Sequence, residues 1–187
     1  MIKTKNLQAG DCLIAPPNNK DPRFRKTVIL LADHADTQGS MGIVLNRPSE
    51  HRVGALVDGL ADNIKDHQLY WGGPVQPHVV FMLHTLDWQT AKTKNIDGRL
   101  GLTTDIRMFD YMKNGEQPDH WQVYFGHSGW APGQLTGELS GEGPWTPSHS
   151  WLTLNRPSLD FIYETDPDSM WDWAVQESAK QAVTSWF

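Results

Sequence analysis

Apolar and polar positions along this chain repeat with two different periods, and the changes of period mark its elements. Trp121, Val123 and Phe125 interleave with Gln122 and Tyr124, the alternation of a half-buried strand. Residues 27–32 run Thr-Val-Ile-Leu-Leu-Ala, an unbroken apolar and β-branched stretch that predicts a strand covered on both faces. Shorter apolar runs predict strands over 11–15, 41–45, 68–71, 78–84, 100–103 and 151–154, with an edge strand somewhere in the irregular stretch 87–97. Val53, Leu56, Val57 and Leu60 fall at helical spacing, so 53–60 reads as an amphipathic helix. Ile106, Phe109, Tyr111 and Met112 give a second helix an apolar side, starting from Thr104 or Asp105 as cap and stopping at Asn114-Gly115. A short helix is expected over 134–140 and a terminal one over 168–183, where Asp166 and Asp168 suit the helix dipole. Polar turns fill 18–26, 33–40 and 141–150.

Strands come singly and in pairs among a few helices, with no regular strand–helix alternation and no internal repeat. That order predicts an α+β fold around a mixed or antiparallel sheet, flanked by helices, in one domain over residues 1–187.

Composition changes this picture in three places. Nine tryptophans are many for 187 residues; Trp71, Trp130 and Trp145 sit in polar, Pro- and Gly-rich surroundings that suit half-exposed rings. The net charge is −6 with scattered basic residues, so the phosphate-neutralising patch of a nucleic-acid binder is missing from the sequence. Cys12 is a lone cysteine in an apolar run, expected to be a small buried core residue. No signal-peptide pattern or membrane-length apolar run is visible, and the expected location is cytoplasmic.

The densest cluster of special-purpose residues is 123–135, Val-Tyr-Phe-Gly-His-Ser-Gly-Trp-Ala-Pro-Gly-Gln-Leu, which reads as a strand, a tight glycine-rich junction and a helix. Gly126-His127-Ser128-Gly129 invites a serine hydrolase with His127, or with His149 and Asp160, as partners of Ser128. A nucleophile elbow needs Gly-x-Ser-x-Gly on a strand-to-helix turn. Here the second glycine follows the serine directly, so a turn whose hydroxyl bonds nearby backbone is the favoured reading. His78 and His84 share a strand face but would sit about 20 Å apart, too far for one metal. Asp33-His34-Ala35-Asp36 could offer oxygens and a nitrogen but matches no calcium or zinc spacing, and solvated turn residues are favoured. Gly72-Gly73-Pro74-Val75 lacks the residues of a phosphate loop and reads as a tight turn. Arg47, after Asn46 and before Pro48, is expected to pair with an inward carboxylate such as Glu138 rather than hold an anion.

Several of these stretches together resemble a known family. They are Asp21-Pro22-x-Phe24, residues 41–48 (Met-Gly-Ile-Val-Leu-Asn-Arg-Pro), Gly72-Gly73-Pro74-Val75 and Phe81-Met82-Leu83-His84-Thr85. Gly126-x-Ser128-Gly129-Trp130-x-x-Gly133-Gln134-Leu135 follows, then Glu138 and Trp145. In this order and spacing the chain is similar to the AlgH/YqgE family of bacterial proteins over nearly its whole length. It departs at His127, where many relatives carry a Tyr, at Thr136 in place of an acidic residue, and at its last residues. The resemblance implies an α+β fold containing a small closed β-barrel, a bacterial cytosolic setting, a link to regulation of alginate synthesis, and the label of a transcriptional regulator. It implies no catalytic residues and no cofactor.

Residues and resemblance together lead to a non-enzymatic regulatory or interaction protein, affecting transcription indirectly through a protein partner, with no membrane and no direct nucleic-acid contact. Its binding surface is expected at Asn46, Arg47, Gly72, Gly73, Ser128, Gly129, Trp130 and Gln134, with Trp130 as an exposed anchor. The alternatives are a hydrolase using Ser128 with a nearby His, and a direct DNA-binding regulator.

Overall fold

The unbroken apolar run at 27–32 explains the centre of the molecule. In the computed structural model, which describes residues 6–141, 144 and 151–186, it forms most of β2 (Val28–Ala35). Successive strand side chains point to opposite faces. Val28, Leu30 and Ala32 therefore join Cys12, Ile14 and Ile43 in one core, while Ile29 and Leu31 join Leu13, Ala15, Val44 and Trp130 in another. Each fully buried aliphatic side chain contributes about 1.5–3 kcal/mol. A polar residue at either parity would break one of the two cores.

β2 sits between β1 (Cys12–Ile14) and β3 (Gly39–Val44), both antiparallel to it. β10 (Leu152–Leu154) pairs with the outer edge of β1. On the other side, β3 pairs with the end of β9 (Trp121–Trp130), and β9 pairs with β6 (Val75–Thr85), β6 with β8 (Leu100–Thr103), and β8 with β7 (Thr93–Asn95). β5 (Gln68–Trp71) lies parallel to β9, and β4 (Pro48–Arg52) pairs with β5. The sheet is thus mostly antiparallel with one parallel pair, and the fold is α+β.

The small closed barrel implied by the family resemblance is not what the strand path shows. Among the described residues the ladder runs open from β10 to β7. Lys94 of β7 reaches Asp33 of β2 at 2.5 Å, so side chains, not backbone bonds, link these two parts of the curled sheet. One face carries the large core with Phe81, Leu83, Leu100 and Tyr124, covered by α4 (Leu159–Glu164) and α5 (Pro167–Thr184) through Phe161, Ile162, Met170 and Ala174. A separate core of Leu69, Met82, Val123 and Trp121 is covered by α1 (Asp62–Lys65) and α2 (Met108–Lys113).

α5 starts as its sequence predicts. Asp166 accepts from the Asp168 N–H at 2.9 Å and Pro167 takes the first turn. Further along, the Ser178 hydroxyl donates to Thr153 O at 2.7 Å, and Gln181 bonds both the N–H and the carbonyl of Asn155 at 2.9 and 3.2 Å. The helix therefore satisfies backbone groups along the end strand β10.

Four expectations are corrected. The helix expected over 53–60 is only a tight turn at Val53–Ala55. Val53 and Leu60 are buried as the spacing implied, but Gly59 at φ +84° ends any helical run between them. The polar stretch 33–40 is mostly strand, since β2 continues to Ala35 and β3 begins at Gly39, leaving Asp36–Gln38 as the turn. α2 starts at Met108, because the Asp105 carboxylate folds the preceding residues into a local turn by accepting from the Arg107 N–H at 3.1 Å; Ile106 is 70% exposed. Lastly, residues 126–129 are not a strand-to-helix junction but the second half of β9.

Candidate functional site

β9 can carry two glycines and still be a strand because another backbone crosses it. β5 ends at Trp71, and Gly72-Gly73 then pass over Gly126 and Ser128. The Gly72 N–H donates to Phe125 O at 2.7 Å, and Gly72 O accepts from the Val44 N–H at 2.8 Å, so this residue bridges β9 and β3. A Cβ on Gly72 would lie 2.4 Å from Gly126 O; one on Gly73, at φ +149°, would lie 2.3 Å from the His127 carbonyl. Gly126 itself, at φ +66°, would place a Cβ 2.5 Å from Gly73 O. The glycines mark close backbone contact, not a ligand.

The left-handed residue also shifts the alternation of β9. Tyr124 pairs with Phe81, and the His127 ring stands edge-on to the same Phe81 at 5.6 Å, so Tyr124 and His127 share a face despite their odd spacing. Ser128 then points to the opposite face. It is 1% exposed, and its hydroxyl donates to Gly72 O at 3.4 Å. His127 is turned away from it, and burial holds that imidazole below its ordinary pKa. Among the described residues His127 Nδ1 is enclosed without a hydrogen-bond partner. Asp160 is exposed on α4, and His149 lies outside the described residues, as does Trp145. Among the described residues no hydrolase geometry is assembled around Ser128: its one hydrogen bond there goes to backbone.

Asn46 and Arg47 serve the loop before β2. Asn46 Oδ1 accepts from the Val28 N–H at 2.9 Å and its amide donates to Lys26 O at 2.9 Å. The Arg47 guanidinium donates to Arg25 O at 2.8 Å and to Pro22 O at 3.3 Å, and partial burial lowers its pKa. The expected Arg47–Glu138 pair does not form. Glu138, 6% exposed, instead accepts from Trp130 Nε1 at 3.1 Å, Trp151 Nε1 at 2.8 Å and Gln134 Nε2 at 2.9 Å. Gln134 Oε1 accepts from the Ala131 N–H at 2.9 Å and so shapes the entry to α3 (Gln134–Ser140). Trp130 is only 7% exposed and stands edge-on to Trp151 at 6.0 Å. It is a core residue, and the expectation of an exposed Trp130 anchor is corrected: a carboxylate able to take two indole N–H groups draws both rings inward.

The candidates thus fall into two groups. Arg47, Gly72, Gly73 and Ser128 meet along one seam, where Arg47 O also accepts from the Trp71 N–H at 2.8 Å. Trp130 and Gln134 belong to the Glu138 cluster, and Gly129 lies exposed between the groups. What the motif reading missed is Trp71. It is 43% exposed and rests on half-buried Phe125 at 5.3 Å, just before the glycine crossing, with Val75, 39% exposed, following that crossing in sequence. Its polar, glycine-rich surroundings were the signal.

Other chemistry is spoken for. Asp33 pairs with Lys94, His34 Nδ1 contacts Ser40 Oγ at 2.7 Å, and Asp36 accepts from Thr136. Among the described residues no group of three His, Cys, Asp or Glu side chains is placed to hold a metal ion. A pocket of about 220 Å³ opens between Asp33, Gln38, Ser40 and Trp130. Cys12 is buried, which pushes its thiol well up from the usual range. Among the described residues no helix is long and apolar enough to cross a membrane.

A family model described as AlgH-like matches residues 12–182. A UPF0301 protein of Rhodospirillum rubrum is 36% identical over 168 residues, covering 87% of this chain and 83% of the relative. One from Nitrosospira multiformis is 39% identical over 150 residues, 76% of this chain and 75% of its own. The solution structure of the AlgH protein from Pseudomonas aeruginosa is similar with a TM-score of 0.75 and 27% identity, covering 95% of this chain and 92% of that one. A crystal structure of a Corynebacterium diphtheriae protein shares the fold, at TM-score 0.68 and 19% identity over 89% of this chain and 85% of that one.

Proposed function

The chain belongs to the AlgH-like family, and from that premise we propose that it is a non-enzymatic interaction protein that binds a protein partner around Trp71. The carrying observation is the Trp71 ring, 43% exposed yet fixed on Phe125 by a backbone held at Arg47 and Gly72. A rigid, half-exposed Trp is the residue type that dominates protein interfaces, because it contributes large contact area at little entropic cost. The rest of the motif seam fits a supporting role. Asn46, Arg47, Gly72 and Ser128 direct hydrogen bonds to the chain's own backbone, Gly73 lets the strands touch, and together they hold Trp71 in place. β4, paired with β5, carries Glu50, His51 and Arg52 farther along the same edge, all exposed, a polar rim for such a contact.

Any effect on transcription passes through that partner, because a chain of net charge −6 repels phosphates. The test compares three forms of the full chain as bait in a bacterial extract: unchanged, Trp71→Ala and Ser128→Ala. The expected result is a partner captured by the unchanged chain and by Ser128→Ala and lost with Trp71→Ala, at an unchanged melting temperature. A partner retained by Trp71→Ala removes the surface. A hydrolytic activity lost with Ser128→Ala removes the non-enzymatic reading.

A further inference from the structure

The outer face of α5 repeats with the spacing of a helix that packs against another helix, although it faces solvent. Ser169, Asp172, Trp173, Gln176, Ala179, Lys180 and Val183 are all exposed. They fall at intervals of three and four residues, the seam periodicity of helix pairs. The opposite face is already used, by Met170 and Ala174 in the core and by Ser178 and Gln181 on β10. Trp173 is 44% exposed and stacked on Phe161 at 4.7 Å, so its ring is held, not free to fold away.

We infer that this face binds a second copy of the chain through an antiparallel α5–α5 pair centred on Gln176. A two-fold interface requires a surface complementary to itself. Centring on Gln176 meets that requirement at every position of the face. Asp172 and Lys180 each lie four residues from the centre, about 6 Å along the axis, so each carboxylate meets the partner copy's ammonium, twice over. Trp173 and Ala179 each lie three residues from it, placing the large ring over the small residue, again twice. Ser169 faces Val183, and Gln176 meets its own copy, amide to amide. Lys180 also contacts Glu177 of its own helix at 3.3 Å, which holds the ammonium over this face, where it stands between two carboxylates in the pair.

An 18-residue helix covers roughly half of the ~800 Å² per partner that a standard interface buries. The dimer is therefore weak, with exposed charges that salt screens. Asp172 and Lys180 are exposed, so reversing them tests the pairing while leaving the buried core unchanged.

Sedimentation equilibrium of the full chain, from about 10 µM to about 1 mM, reads the result. The unchanged chain is expected to self-associate reversibly, less so at high salt. Lys180→Asp or Asp172→Lys alone sets like charges against each other and should weaken association by roughly tenfold. The double reversal Asp172→Lys/Lys180→Asp should restore most of it, with melting temperatures alike in all four forms apart from the small loss of the exposed Lys180–Glu177 contact. A chain that stays monomeric throughout overturns the inference, as does a dimer indifferent to the single reversals or one that the double reversal fails to restore.

Discussion

The glycine crossing and the Glu138 cluster lie a few residues apart along the same strand, yet they hold the fold by opposite means. At the crossing, two backbones touch, and what matters is the absence of side chains: Gly72, Gly73 and Gly126 each leave less than 3 Å to a carbonyl or amide where a Cβ would go. At the cluster, what matters is one side chain. The Glu138 carboxylate gathers Trp130, Trp151 and Gln134 and has no basic residue among these partners. The first region tolerates no added atom and the second no missing one. A contiguous motif can therefore be functional in appearance and structural in both halves.

Gly73→Ala is the strongest way to break this comparison. Its Cβ meets backbone at 2.3 Å and its φ of +149° is strained for any other residue. The expected cost exceeds about 4 kcal/mol, most of the margin of a domain, read as loss of a cooperative urea transition. A soluble Gly73→Ala protein with unchanged stability would mean that the two chains do not press together. Glu138→Ala should come next, at about 3 kcal/mol, because it strands two buried indole donors; Glu138→Gln, which keeps an acceptor, should cost less. Equal losses for the two would assign the effect to packing instead.

The smallest effect sharpens the contrast at a polar cluster without a charge. His84 is fully buried and donates from Nδ1 to Thr85 O at 2.8 Å. Its Nε2 accepts from Thr103 at 2.8 Å, which accepts in turn from Thr93 at 2.7 Å. Every proton in this chain has a place only if the ring is neutral. Burial holds its pKa below the ordinary histidine value, against the opposing pull of the Thr85 carbonyl and Asp87. The unfolded ring takes up a proton first as pH falls, so stability is full above the ordinary value and declines below it, until the folded ring titrates too. One proton limits the slope to about 1.4 kcal/mol per pH unit. Urea midpoints should fall between about pH 7.5 and about pH 5.5, with the His84 ring still neutral by NMR in the folded protein. A folded ring that charges at the ordinary value would contradict this network.

Much of the fold was legible because its signals are local. The two-sided burial of β2 follows from its unbroken apolar run, and the cap and first turn of α5 follow from Asp166-Pro167. The openness of the sheet, β4 and α4 were not legible, since they depend on which distant segments meet. The candidate site divides in the same way. Glycine signalled close approach correctly at Gly72 and Gly73, but whether it approached a ligand or another strand depends on a crossing between residues more than fifty positions apart. Trp130 and Trp71 look alike in sequence. Only the position of the Glu138 carboxylate, four residues beyond Gln134 on α3, decides which ring goes inside.

A sheet path with open ends is an invitation to polymerise, and here the β10 and β7 ends of the main path are both blocked. The side chains of Ser178 and Gln181 occupy the Thr153 carbonyl of β10 and the backbone of Asn155 just after it, positions that another strand would use, while β7 is three residues long and carries Lys94. α5 is in this sense a built-in chain terminator. A cut that released it would uncover that edge and give another strand a place to add.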